Sequence, residues 1–272
     1  LQILHEQDNQ LDNYRYLGTF NADIKFTPHL RLKNSFGIDA IYTEDFTYYN
    51  EFHPYGAGQG RILDDRRVIT NGLIENTLHF DKSFGDLSVN ALVGHSFQKI
   101  TTSTSAIDGR GFPSPSFDVI SVASEIAGAS TGFGQNALES YYARTNFNWA
   151  DKYLLSLSIR ADGSSKFSPE KRYGSFPSAS VGWNVSNESF WFLDRTDLKV
   201  RGSYGTTGNQ DGIGSYASQA LMSGGRNYHN QSGLSITTFG NPDLTWETAE
   251  QFDVGFDLSL FEGKINLTAD YF

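Results

Sequence analysis

Gly128-Ala129-Ser130-Thr131-Gly132 has the G-x-S-x-G spacing with which serine hydrolases present a nucleophile. That chemistry needs a strand before the motif and a helix after it, so that the serine stands on a sharp turn. Here the pentapeptide falls in a Gly/Ser-rich stretch read as a flexible loop, and Ser130 receives no catalytic role. Six histidines (His5, His29, His53, His79, His95 and His229) stand apart, without H-E-x-x-H or a close second ligand, so a structural or exposed role outweighs metal binding. Asp64, Asp65, Glu188 and Glu247 could pair across strands as glycosidase carboxylates do, but no spacing identifies a pair. Gly56, Gly58 and Gly60 miss the G-x-G-x-x-G spacing, and no helix follows them to hold a phosphate. Asn209-Gln210-Asp211-Gly212 lacks the remaining ligands of a calcium loop, and the sequon Asn187-Glu188-Ser189 is read as chance. No residue is assigned to catalysis, a metal or a cofactor.

One cluster suits capture better than catalysis. The segment Glu44–Asp65 holds Phe46, Tyr48, Tyr49, Phe52, His53 and Tyr55, aromatic faces beside hydrogen-bonding groups. Such a surface fits a sugar or a peptide. It fits packing of the loop against a neighbour equally well, and no binding residue is named.

The elements that must carry these residues are strands. Only 38% of the 272 residues are hydrophobic, yet 14% are aromatic and 27 are glycine, a mixture of β-formers and turn-formers. No window offers the roughly 18 consecutive apolar residues of a membrane helix. A membrane reading therefore survives only as a barrel, in which alternation keeps mean hydropathy low. The absence of cysteine excludes disulfides and thiolate metal sites, and a formal charge of −10 argues against nucleic acid as partner. The stretch from Leu1 shows no basic n-region or apolar h-region, so no signal peptide is read in it, and the chain is expected to be mature or a fragment.

Apolar residues recur at every second position. Leu87, Val89, Ala91 and Val93 do so, as do Tyr153, Leu155, Leu157, Ile159 and Ala161 with Ser156, Ser158 and Arg160 between them. Ala179, Val181, Trp183 and Val185, then Phe252, Val254, Phe256, Leu258 and Leu260, then Ile265, Leu267, Ala269 and Tyr271 repeat the pattern. With weaker candidates at 15–27 and 66–80 the count reaches about ten strands. The connections alternate. Thr27–His29, Asp81–Asp86, Ala150–Lys152 and Phe261–Lys264 are short; Glu44–Asp65, Thr101–Glu139 and Thr207–Thr245 are long; Gly163–Arg172 and Ser186–Thr196 are intermediate. A meander that sorts its long loops to one end is built like an outer-membrane barrel, with tight periplasmic turns and larger extracellular loops. Tyr14, Tyr16, Tyr42, Trp149, Tyr153, Trp246 and Tyr271 near strand ends suit interfacial girdles.

Four ordered motifs then carry a family resemblance. Arg160-Ala161-Asp162-Gly163-Ser164-Ser165-Lys166-Phe167 is followed by Arg172-Tyr173-Gly174-Ser175-Phe176-Pro177-Ser178-Ala179-Ser180-Val181-Gly182-Trp183. Next come Leu198-Lys199-Val200-Arg201-Gly202-Ser203-Tyr204-Gly205-Thr206-Thr207-Gly208-Asn209-Gln210 and Asn241-Pro242-Asp243-Leu244-Thr245-Trp246-Glu247. This half of the chain resembles SusC/RagA-type TonB-dependent receptors; the first half agrees in pattern only. Asp162-Gly163 is expected to open a turn that needs φ > 0, and Gly182, Gly202 and Gly205 to admit rings or a close neighbouring strand.

The resemblance implies an all-β fold: an antiparallel transmembrane β-barrel of the outer-membrane type, of which residues 1–272 form a partial barrel of about ten strands without the plug domain. It also implies transport rather than catalysis, with TonB and a SusD-like lipoprotein as partners, oligosaccharide or peptide as cargo, and outer-membrane lipid around the wall. No cofactor is expected. The rival is a soluble secreted β-sandwich that binds glycans, which explains the strands but not the loop parity. A barrel enzyme is a third reading, and it would need a Ser/His or acid pair facing one cavity.

Overall fold

Alternation at every second residue yields a strand with two chemically different faces, and here it does so ten times over. The structure is a computed structural model that describes residues 7–114, 116–229 and 231–272; His5 lies outside the described residues. The strands are β1 (Gln7–Thr27), β2 (Leu30–Tyr49), β3 (Arg61–Phe84), β4 (Leu87–Arg110), β5 (Glu125–Trp149), β6 (Tyr153–Ser164), β7 (Tyr173–Asn184) and β8 (Thr196–Asn209). A small pair, β9 (Leu221–Ser223) and β10 (Ser235–Thr238), precedes β11 (Glu247–Leu260) and β12 (Ile265–Tyr271). The main sheet is a ten-stranded antiparallel meander in the order β1 to β8, then β11 and β12, while β9 and β10 pair with each other. It is not closed: β1 and β12 end the order without meeting.

The order of strands and turns is the expected one; their lengths are not. The second connection shrinks to residues 50–60 and the fourth to 111–124, because β2 to β5 run on through segments read as loop. Ser130 therefore sits inside β5, in a paired strand and not on a turn, so its G-x-S-x-G spacing has no nucleophile geometry. Glu, Asp, Ser and Gly in these extensions hide the strand period, yet neighbouring strands satisfy their backbones all the same. The strands β1 to β5 hold 20 to 25 residues, about twice what crosses a bilayer at a tilt of about 45°.

Contacts divide the chain into two compact units. The first holds the described parts of 1–20, 36–73 and 98–136; the second holds 21–35, 74–97 and 137–272. In the first, charged pairs staple neighbouring strands. Arg15 forks onto Asp39 at 2.9 and 2.7 Å, and Arg61 onto Asp108 at 2.8 and 2.9 Å. Loop 50–60 is folded on itself: Asn50 Oδ1 accepts from the Phe52 and His53 N–H groups, His53 Nδ1 accepts from the Tyr55 N–H, and Tyr49 stacks on His53 at 4.6 Å. Tyr48 is buried, edge-on to Phe112. Tyr48, Tyr49 and His53 thus hold the loop together, whereas Phe52 and Tyr55 project from it.

In the second unit the short turns are bonded to one another. The N–H of Asp81 donates to His29 O, Ala150 to Asp86 O, Asn184 to Lys152 O and Glu262 to Arg195 O, at 2.8–3.2 Å. This belt fixes the relative stagger of the hairpins, and stagger decides which face each side chain takes. One face carries Phe147, Leu157, Ile159, Val181, Phe252 and Val254; the other carries Ser156, Ser158, Ser178, Ser180, Lys199 and Ser203. No second sheet covers the apolar face among the described residues, which a soluble sandwich would require.

Leu157→Arg, in the middle of the apolar face, is expected to destabilise the intact protein by about 2–4 kcal/mol in lipid, and Ser158→Arg far less. Denaturant unfolding from phospholipid vesicles measures both. Equal costs would mean that the two faces do not meet different solvents.

Candidate functional site

The apolar face of the second unit is bounded above and below by aromatic rows. At the short-turn end, Trp149, Tyr153, Trp183 and Phe190 follow one another with centroids 5.7, 6.4 and 6.3 Å apart. Their polar tips converge on Glu188: Tyr153 Oη donates at 2.6 Å, Trp183 Nε1 at 3.2 Å and Lys152 Nζ at 2.8 Å. At the loop end, Tyr141 and Tyr173 donate to Glu139 at 2.8 and 2.9 Å, and His95 Nε2 lies 3.1 Å from the same carboxylate. Along β7 the two rows are ten residues apart, from Tyr173 to Trp183. At about 3.3 Å per residue and a tilt of about 45°, that is a rise of about 23 Å, against an apolar band of about 25 Å in outer-membrane barrels. Rings with an apolar body and a polar tip settle at such borders.

Of the aromatics expected in girdles, Trp149 and Tyr153 belong to the lower row. Trp183, Phe190, Tyr141 and Tyr173 complete the two rows and were not among those expected, because a row is set by which rings meet across neighbouring strands, as Tyr173 meets Glu139 34 residues away. Trp246 lies at the level of Tyr173, donating to Arg172 O, but packs between Phe167 and Phe176 at 5.3 and 5.5 Å, and Phe176 is on the face of β7 opposite that row.

The polar face carries two bonded clusters. Tyr142 Oη donates to Glu75 at 2.6 Å, and the Arg160 guanidinium lies 5.4 Å above the Tyr142 ring. Arg160 Nε donates to Asp162 at 2.7 Å and Nη2 to the buried Ser140 hydroxyl at 2.9 Å. Farther along, Arg201 bridges Asp257 at 3.2 Å and Asp270 at 2.8 Å. Arg160 and Arg201 each have a carboxylate partner, as cations on a partly dehydrated wall need. A shallow groove on this face is lined by Arg144, Ser156, Arg160, Ser178, Ser203 and Gln251.

Glycine serves this region differently from expectation. Asp162-Gly163 opens no turn, since both residues lie within β6 and Gly163 is not in the left-handed region. Gly163 is instead roofed by Tyr173, whose ring a Cβ would meet at 2.5 Å. The Phe176 ring likewise occupies the space of a side chain at Gly208, and the Tyr142 ring that at Gly94. No ring covers Gly182, Gly202 or Gly205; the tightest approach among them is Ser178, 3.0 Å from a Cβ at Gly205.

The remaining candidates disperse. His29 bonds the Asp81 carbonyl, His79 the Thr77 hydroxyl, and His229 lies against Tyr228. Asp64 pairs with Arg66 and Glu247 with Asn209. Asn209 Oδ1 accepts from the Asp211 N–H ahead of Gly212 at φ 76°, a turn that accounts for the calcium-like spelling. Among the described residues no three His, Asp or Glu side chains gather as metal ligands.

Comparison with known proteins gives the same picture. The family model described as "TonB dependent receptor-like, beta-barrel" matches residues 3–272. The chain is 32% identical over 282 residues to the TonB-dependent receptor P3 of Formosa agariphila, covering 97% of this chain and 27% of that protein. It is 26% identical over 280 residues to the TonB-dependent receptor SusC of Bacteroides thetaiotaomicron, with 97% and 27% covered. Among solved structures, that of the RagAB peptide transporter superposes with a TM-score of 0.91 at 25% identity, over 98% of this chain and 30% of that one. The siderophore receptor PiuA of Acinetobacter baumannii, at 13% identity and TM-score 0.52, shares the fold. The chain spans about a quarter of the length of these curated relatives.

The Glu188 hub lies in the 185–195 turn, and its three donors hold its pKa at about 2 against an ordinary 4.5, the Lys152 ammonium contributing most. A depressed folded-state value means stability that is present above pH 4.5 and lost as pH falls through about 2. Unfolding followed against pH should show that loss in the wild type and a flatter profile in Glu188→Gln. In the same assay at neutral pH, Gly208→Ala should cost about 1–3 kcal/mol, because the Phe176 ring must move. Gly214→Ala, with open space around it, should cost little.

Proposed function

Because the chain belongs to the TonB dependent receptor-like β-barrel family and is an outer-membrane barrel protein, we propose that it is a wall segment of a SusC/RagA-like importer. Residues 1–272 are barrel throughout, and the plug that fills the lumen comes from another part of a longer receptor. Energy delivered through TonB displaces that plug, and a SusD-like lipoprotein meets the loop end. The cargo is an oligosaccharide or a peptide; the RagAB relative is a peptide transporter by its own description.

One observation carries this reading: a single sheet presents an uncovered apolar face bounded by two aromatic rows and, on its reverse, a paired polar network. The first face suits lipid and the second an aqueous lumen. The polar wall, with Arg144 and the serine hydroxyls of β6 to β8, offers exchangeable hydrogen bonds to a passing solute. Arg160 and Arg201 are already paired with carboxylates, so cargo moves past them without meeting a deep charged trap. Transport, not bond-breaking, suits a surface on which Ser130 is a strand residue and the histidines stand dispersed.

Fractionation of the native host tests the reading. An antibody against loop 111–124 should detect a band in the outer membrane well above 30.2 kDa. Deletion of the gene should abolish growth on one defined oligosaccharide or peptide mixture as sole carbon source and leave growth on a monosaccharide unchanged. A soluble 30 kDa band would overturn the importer. Growth lost on peptides but kept on oligosaccharides would decide the cargo.

A further inference from the structure

The four sequence motifs, spread over residues 160–247, meet beside the β6–β7 turn, where they grip both ends of loop 210–246. At the first end Ser164 Oγ donates to the Gln210 side chain, and Lys166 Nζ donates to the Gln210 carbonyl at 3.3 Å. At the second, Ser168 Oγ donates to Pro242 O at 2.7 Å and Trp246 Nε1 to Arg172 O at 2.9 Å. The Trp246 ring fills the space between Phe167, which is 1% exposed, and Phe176. Gly174 leaves room for it, since a Cβ there would stand 2.8 Å from the indole.

Between these two feet the loop folds on itself. The β9–β10 pair forms its middle, the Asn241 N–H donates to Ala217 O at 3.1 Å, and Gly240 presses on the Gln219–Ala220 backbone. From Gly212 to Pro242 the sequence carries one Asp, Glu, Lys or Arg, namely Arg226. Met222, Tyr228, Leu234, Ile236 and Phe239 are exposed there. Few charges with large exposed apolar and aromatic groups is the composition of the centre of a contact surface.

We propose that this cluster is a latch, that Trp246 is its positioning residue, and that it fixes the stance of an apolar arm formed by residues 212–242. Self-contacts keep the arm in shape, and the latch ties that shape to the barrel rim. Holding the arm before it meets anything removes an ordering cost from the encounter. Use of the arm in capture rests on the importer reading above; the latch itself stands on the contacts just given.

Arg226 supplies the probe, being the single Lys or Arg between Arg201 and Lys264. Trypsin is added to cells bearing the intact receptor, and cleavage at Arg226 is timed, with heat-modifiable gel migration checking that the barrel is folded. Cleavage of an opened segment follows the population of the open form. Trp246→Ala and Phe167→Ala should therefore each speed cleavage by about tenfold or more. Trp246→Phe, which keeps a ring but loses the bond to Arg172, should fall between them and the wild type. Leu157→Ala on the apolar face should leave the rate unchanged. Should Trp246→Ala fail to fold, Ser168→Ala with Lys166→Ala opens both feet more gently and should still speed cleavage. Wild-type rates in the folded latch variants would overturn the latch. Faster cleavage in a receptor that imports nothing would keep the latch and remove the importer.

Discussion

Hydrocarbon offers no hydrogen-bond partner, so every peptide group of a strand inside it must be met by another strand. The rest of this structure follows from that constraint. It forces each strand to pair on both sides, which makes a meander with tight turns the economical route and leaves side chains as the sole variable. Side chains then alternate between two solvents, and the sequence needs no long apolar run. The same constraint makes stagger critical, because a slip of one residue would turn Leu157 inward and Ser158 outward. The backbone bonds that join neighbouring short turns, from His29–Asp81 to Arg195–Glu262, guard against that slip where the turns themselves are too short to adjust.

Two glutamates set the height of the wall. Glu139 gathers two tyrosines and His95 at one border, and Glu188 gathers Tyr153, Trp183 and Lys152 at the other. Each orients amphipathic rings that would otherwise rotate freely at the interface, so the borders are defined by directional bonds as well as by partitioning. On the reverse face the same strands carry Arg160 bonded to Asp162 and Ser140 and lying over the Tyr142 ring. One sheet thus presents a surface held by rings and lipid and another held by charge pairs.

The strand order, the turn parity and the two faces were legible in the sequence because they rest on a period of two residues, which survives any choice of neighbours. Strand ends were not, since the loop-end halves of β2 to β5 use Glu44, Asp64, Ser105 and Gly128 in place of an alternating apolar set. The motifs around Arg160 and Trp246 were legible as a family signature but not as a cluster. Their meaning lies in contacts such as Arg172 with Trp246 and Ser168 with Pro242, 74 residues apart in each case. The glycines show the limit most plainly. Gly163 invites a turn by its spelling, and only the position of Tyr173 ten residues later reveals that the space above it was needed.

The turns 28–29, 85–86, 150–152 and 261–264, together with the longer 185–195 connection, join neighbours in the meander, so β1–β2, β3–β4, β5–β6, β7–β8 and β11–β12 read as five strand pairs. Gaining or losing one strand would strand a terminus on the wrong side of the membrane and reverse everything after it. Gaining or losing a pair changes nothing in the orientation of the rest. The circumference of such a wall is therefore a quantity that evolution can adjust only in steps of two, by duplication or deletion of whole pairs.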